Sequence, residues 1–85
     1  MANSRIFELR HNYYLVRLEL RDGGIETAGF YSRSQSVDSV VDQAVSRTKS
    51  FLRAKQILPK NVLTASLRQM VLEEIVVVRD ITNRI

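Results

Sequence analysis

Few residues in this chain have the types and spacing that covalent chemistry needs. His11 is the single histidine, and the sequence holds no cysteine. Neither a thiolate nucleophile nor a typical zinc ligand set can be assembled from that inventory. His11 reads instead as a kink before a strand. Glu73 and Glu74 are the one adjacent acidic pair. Neighbouring residues of a helix do not face each other, so the pair reads as a solvated step rather than a metal clamp. The glycines of Arg21-Asp22-Gly23-Gly24 belong to no phosphate-binding motif of the G-x-x-x-x-G-K-[ST] or G-x-G-x-x-G kind. No serine stands in a G-x-S-x-G elbow. The expectation is a protein that is not an enzyme and uses no metal and no cofactor.

The chemistry that the sequence does favour is anion binding. The formal net charge is +4, from 13 Lys+Arg against 9 Asp+Glu, and the sequence pI is about 10.0. Most of the bases are arginines, whose planar fork of donors suits phosphates and carboxylates. Between Asp42 and Glu73 no acid occurs, while Arg47, Lys49, Arg53, Lys55, Lys60 and Arg68 all fall there. Arg47, Lys49, Arg53, Lys55 and Lys60 are therefore candidates for contacts to a DNA or RNA backbone, with Arg17 and Arg21 as second contacts. The competing reading is a solvated helix face whose late bases complement the helix dipole.

These residues need elements to hold them. Tyr13 to Arg21 alternates: Tyr14, Val16, Leu18 and Leu20 fall on one side, Tyr13, Leu15, Arg17, Glu19 and Arg21 on the other. That is a half-buried strand. Asp22-Gly23 predicts a tight hairpin turn, with Ile25 to Tyr31 returning. A turn at Asp22-Gly23 sets Leu20 opposite Ile25, and one at Gly23-Gly24 sets Arg21 opposite Glu26. Both place Ile25, Thr27, Gly29 and Tyr31 with the core face, and Phe30 and Ala28 with Tyr13, Leu15, Arg17, Glu19 and Arg21 outside. Tyr13, Leu15 and Phe30 then form a candidate interface, either a stacking surface for bases or a patch that a second layer, a twin subunit or another protein covers.

Ser36 is an expected N-cap with Asp38 in the first turn. Val37, Val40, Val41, Ala44, Val45, Thr48, Phe51 and Leu52 recur at intervals of three and four, which predicts an amphipathic helix over 36–56, ended by Pro59. Leu63, Leu67, Met70, Val71 and Ile75 are also spaced as a helix face with Thr64 as cap. The reading is a short helix over 64–72, then a strand over 74–82, because the run Ile75–Val78 is strongly strand-forming and fits a central strand covered on both faces. The alternatives are one continuous helix to the C-terminus or a strand starting near Val62.

The expected fold is thus α+β: one small domain over 1–85, frayed at 1–5, with an antiparallel β-hairpin and a C-terminal strand packed on one long amphipathic helix, ββα(α)β. The hydrophobic share of 45% and charged share of 26% are globular values. No apolar run reaches the length of a signal peptide or membrane span. A soluble cytoplasmic protein without a membrane partner is expected. Its first expected role is nucleic-acid binding through the basic helix. The second is that of a protein-binding module (inhibitor, adaptor or assembly factor) acting through its sheet face or an edge strand, with a homodimer as one form of that.

Overall fold

The computed structural model describes residues 12–71 and 74–85. Residues 1–11, with the expected frayed start and the kink at His11, and the Glu73 half of the acidic pair lie outside the described residues. The elements are β1 (Asn12–Leu20), β2 (Ile25–Ser32), α1 (Val37–Ala54), β3 (Val62–Val71) and β4 (Glu74–Asp80), with short 3-10 turns at Pro59–Asn61 and Thr82–Arg84. The four strands form one antiparallel sheet in the order β2-β1-β3-β4. The class is α+β, as the sequence predicts, with one helix on one face of the sheet.

The core lies between α1 and that face. Tyr14, Val16 and Leu18 of β1, Phe30 of β2, and Ala65 and Leu67 of β3 are buried against Val40, Val41, Ala44, Val45 and Leu52 of the helix. Burying a leucine fully stabilises by about 1.5–3 kcal/mol, and Leu18, Leu52 and Leu67 are each fully buried. Ile81 closes the same core. Its N–H donates to the Ala65 carbonyl at 2.8 Å, while the Thr82 hydroxyl accepts from the Ala65 N–H at 3.0 Å.

The helix has the caps its sequence calls for. The Ser36 side chain accepts from the Ser39 N–H at 3.3 Å. At the other end Ile57 N–H bonds to Leu52 C=O and Gln56 N–H to Arg53 C=O, the paired bonds of a Schellman motif. Gln56 takes the left-handed position there, with φ 59°, where glycine is the usual residue. Val37, expected on the core face, is exposed instead.

Three expectations are corrected. First, the hairpin register is neither of the two predicted. Leu20 N–H donates to Gly24 C=O at 2.8 Å and Gly23 N–H to Leu20 C=O at 2.9 Å, so the loop has three residues, Arg21-Asp22-Gly23, with Gly23 at φ 92°. Asp22 Oδ1 accepts from Gly24 N–H at 2.8 Å and fixes this form. An odd loop shifts the pairing by one residue, and a one-residue shift exchanges the faces of the returning strand. Tyr14 pairs with Phe30 and Tyr13 with Tyr31. Phe30 is therefore in the core at 4% exposure, stacked on Tyr14 at 5.7 Å, not on the outer face.

Second, the helix expected over 64–72 is not formed in its described part, 64–71, and Thr64 caps none. Residues 62–71 are strand β3, paired along β1 from Tyr14–Gln69 to Leu20–Val62. β1 has two edges. β2 occupies one, and β3 satisfies the ladder groups of the other. Third, among the described residues β4 is an edge strand, not a central one. It ends at Asp80, and Ile75, Val76 and Val77 stay about half exposed.

Candidate functional site: a basic helix end and an open sheet face

The expected basic patch is divided by the fold. α1 carries its bases on two flanks and at its end. Arg47 lies with its guanidinium carbon 5.4 Å from the centroid of the Phe30 ring, a cation–π contact that covers a core aromatic. Lys55 sits likewise over Phe51 at 5.7 Å. Lys49 and Arg53, four residues apart and so on one stripe of the helix, border a cavity of about 530 Å³. Among the described residues neither has a hydrogen-bond or ion-pair partner.

The acids of the helix lie near its other end and are engaged there. Asp38 pairs with Arg79 at 3.3 Å and Asp42 with Arg84 at 2.9 Å. Both acids of the helix are thus bound to bases that follow β3, more than one turn away from Lys49 and Arg53. The hairpin turn adds Arg21. Its Nε donates to the Lys60 carbonyl at 2.8 Å, and its N–H donates to the Asn61 carbonyl. A second cavity of about 450 Å³ lies by Arg21 and shares Gln56 and Ile57 with the first. Lys49, Arg53, Lys60 and Arg21 are therefore grouped about the helix C-terminus and the turns beside it.

Arg17 is not part of that group. It lies on the sheet face turned away from α1, where its guanidinium pairs with Glu19 at 3.0 Å; Glu19 also accepts from the Thr64 hydroxyl at 3.2 Å.

That open face is the second candidate. Strand pairing aligns Tyr31 with Tyr13; Gly29, Leu15, Arg68 and Val77 in the next row; and Met70 with Ile75 towards β4. The Tyr13 and Tyr31 rings meet at 4.9 Å, inclined by 55°. A Cβ at Gly29 would run into the Tyr13 phenol, so the glycine leaves room for that ring to lie across the strand. Arg68 Nε donates to the Ser66 hydroxyl at 3.0 Å, which holds the guanidinium along the sheet. Of the three residues predicted for the interface, Tyr13 and Leu15 are here, half-buried; Phe30 is not. Tyr31, Met70, Ile75 and Val77 are the ones sequence reasoning missed. An odd-loop hairpin would have brought in Tyr31, and an extended 62–71 the other three.

One carboxylate is perturbed. The Thr82 hydroxyl donates to Asp80 Oδ1 at 2.6 Å and the Thr82 N–H donates to the same oxygen at 2.8 Å. Both bonds favour the ionised form and hold Asp80 below its ordinary value of 3.8. This closes the turn after β4. Among the described residues no three of His, Cys, Asp and Glu are grouped to hold a metal ion, and no helix is long and apolar enough to cross a membrane. No family model, curated protein or solved structure matches the chain.

Proposed function

We propose that this chain is a non-enzymatic protein-binding module that takes an extended strand of a partner protein onto the free edge of β4, with the adjoining open sheet face as the seat for the partner's side chains. The observation that carries this reading is the state of β4. Ile75 and Val77 on the open face, and Val76 on the helix side, are 50%, 54% and 45% exposed. A sheet edge presents unpaired N–H and C=O groups, and folded proteins ordinarily guard such an edge with charge, proline or a covering element. Among the described residues, the middle of β4 carries none of these. Main-chain pairing to an edge gives affinity, and side chains on alternate faces give selectivity. Tyr13, Tyr31, Leu15 and Met70 extend the apolar surface inward, and aromatics, Met and Arg are the residue types enriched in interfaces.

A photo-crosslinking amino acid placed at Val77, and in a second protein at Arg53, tests this in the cells that make the chain. Capture of one protein species from position 77 and not from 53 supports the reading. Capture of the chain's own second copy from 77 makes the partner a twin subunit. Capture from 53 alone removes the reading.

A second reading keeps the helix end as a phosphate-binding surface. Lys49 and Arg53 favour it, because among the described residues no acid neutralises them. Against a long backbone track stand Arg47 and Lys55, which lie over Phe30 and Phe51, and Arg17, which is on the opposite face of the sheet. Titrating labelled single- and double-stranded oligonucleotides at two salt concentrations decides it. Binding that weakens steeply with salt supports a phosphate surface, and Lys49→Glu with Arg53→Glu should abolish it.

A further inference from the structure

The cavity at the end of α1 has features that neither the sheet edge nor a phosphate track requires. Its volume is about 530 Å³, within the range of small-molecule sites. Leu52, Ile57, Leu58, Pro59 and Ile85 line it, and Lys49 and Arg53 stand at its border from one stripe of α1. Among the described residues no acidic side chain lines it. Leu58 is exposed although its neighbours Leu52 and Ile57 pack into or against the core.

The chemistry of the lining selects among ligands. Among the described residues no aromatic side chain lines it to stack on a planar ring, so a nucleobase has none of them to lie against. The apolar lining is wholly aliphatic and irregular, which suits a flexible alkyl chain. Two cations at one border suit a single anionic head that stays near water, where its desolvation is small. Gln56, left-handed at the helix end, adds a neutral side chain to the lining. The lining thus pairs a charged border with a greasy wall.

We propose that this cavity binds a single-chain carboxylate amphiphile of medium length, with its head between Lys49 and Arg53 and its alkyl chain along Leu52, Ile57 and Leu58. The site is on α1 and the segment following it, with Ile85 beside them, and uses no residue of β4, so it stands or falls independently of the β4 reading.

The test is a titration of the isotope-labelled protein with decanoate, decanol and decyltrimethylammonium, each below its micelle concentration, followed by amide chemical shifts. The expected result is saturable shifting with decanoate at residues 49–59 and 85. Decanol should bind roughly fivefold more weakly, the combined effect of two solvent-exposed charges, and the cationic analogue more weakly still. Lys49→Gln with Arg53→Gln should remove the preference for decanoate over decanol. Leu58→Glu, at an exposed position, should abolish binding while the spectrum elsewhere stays folded. Equal binding of all three ligands, shifts centred on the sheet face, or no saturation with decanoate would each overturn the proposal.

Discussion

Replacing Thr48 by valine isolates one polar atom in the core. Thr48 is 0% exposed on the buried stripe of α1, and its hydroxyl has no hydrogen-bond partner among the described residues. A threonine inside a helix usually returns its hydroxyl to a carbonyl one turn back, which for Thr48 would be that of Ala44. Without such a bond the hydroxyl is desolvated and uncompensated, at a cost of about 1–3 kcal/mol judged from substitutions in proteins. Valine puts a methyl group in nearly the same space and has a similar helix propensity. Thr48→Val should therefore raise stability by about 1–3 kcal/mol. For a domain of this size each kcal/mol moves Tm by about 4–8 °C, so the smallest expected rise is about 4 °C. Urea unfolding followed by circular dichroism reads it as a higher midpoint at an unchanged slope. Thr48→Ser is the companion variant. It keeps the hydroxyl and loses a buried methyl, and should cost about 0.8 kcal/mol or more. A valine variant that is neutral or less stable would show that the hydroxyl is satisfied in solution, and the reasoning from an orphaned donor would be refuted.

Three further substitutions test other parts of the fold. Phe30→Ala should destabilise by about 3–5 kcal/mol, as deletion of a buried aromatic does, while Tyr31→Ala should cost far less; the reverse order in urea unfolding would restore the two-residue hairpin. Gln56→Gly should stabilise by about 1 kcal/mol, because glycine adopts φ 59° without the Cβ penalty, and a loss of stability in the same melt would mean the Schellman end is not formed. Asp80 is held below 3.8 by its bonds to Thr82, so the stability it adds is present above that value and is lost as pH falls through its lowered folded value. Asp80→Asn should remove that component and flatten the stability profile below about pH 3.8; an unchanged acid limb would deny the Asp80–Thr82 contact its role.

The sequence and the structure agree where one period is unbroken and disagree where a single residue is added. The stripe from Val40 to Leu52 keeps the helical interval, and Ser36 marks its start, so α1 was legible to within two residues. The alternation of β1 was equally plain. The hairpin failed on one residue of loop length, because Asp-Gly supports both a two-residue turn and a three-residue turn with its glycine left-handed. In β3 the irregularity is a bulge: Leu20 pairs with Val62 and Glu19 with Thr64, which leaves Leu63 extra. The buried positions then fall at 62, 65 and 67, and the exposed Leu63, Met70 and Val71 join Leu67 at helix-like intervals. A strand with one inserted residue imitates a helix over about two turns, and only its pairing with β1 separates the two.

β4 holds the argument about function. A run of β-branched residues states that burial is wanted but not what provides it, and the expected answer was a central strand. The described chain does not provide the burial. β1 and β3 take the two central places, and β4 is left at the edge with Ile75, Val76 and Val77 about half exposed. Its ends are charged, with Glu74 at one and Arg79 and Asp80 at the other, and Val78 is an extra residue where pairing with β3 shifts from Leu67–Arg79 to Arg68–Val77. Charges and bulges are the devices that keep an edge from pairing indiscriminately. Here they flank an apolar centre instead of occupying it, so the edge is limited in length without being closed. The Arg79–Asp38 and Arg84–Asp42 pairs tie the end of this strand and the turn after it to the start of α1. The same two pairs engage both acids of the helix near its start, while Lys49 and Arg53 lie towards its far end. The proposed protein-binding edge is thus tied to one end of α1 and the cationic lining of the cavity lies at the other, which gives two surfaces of unlike chemistry at separate places on one small domain.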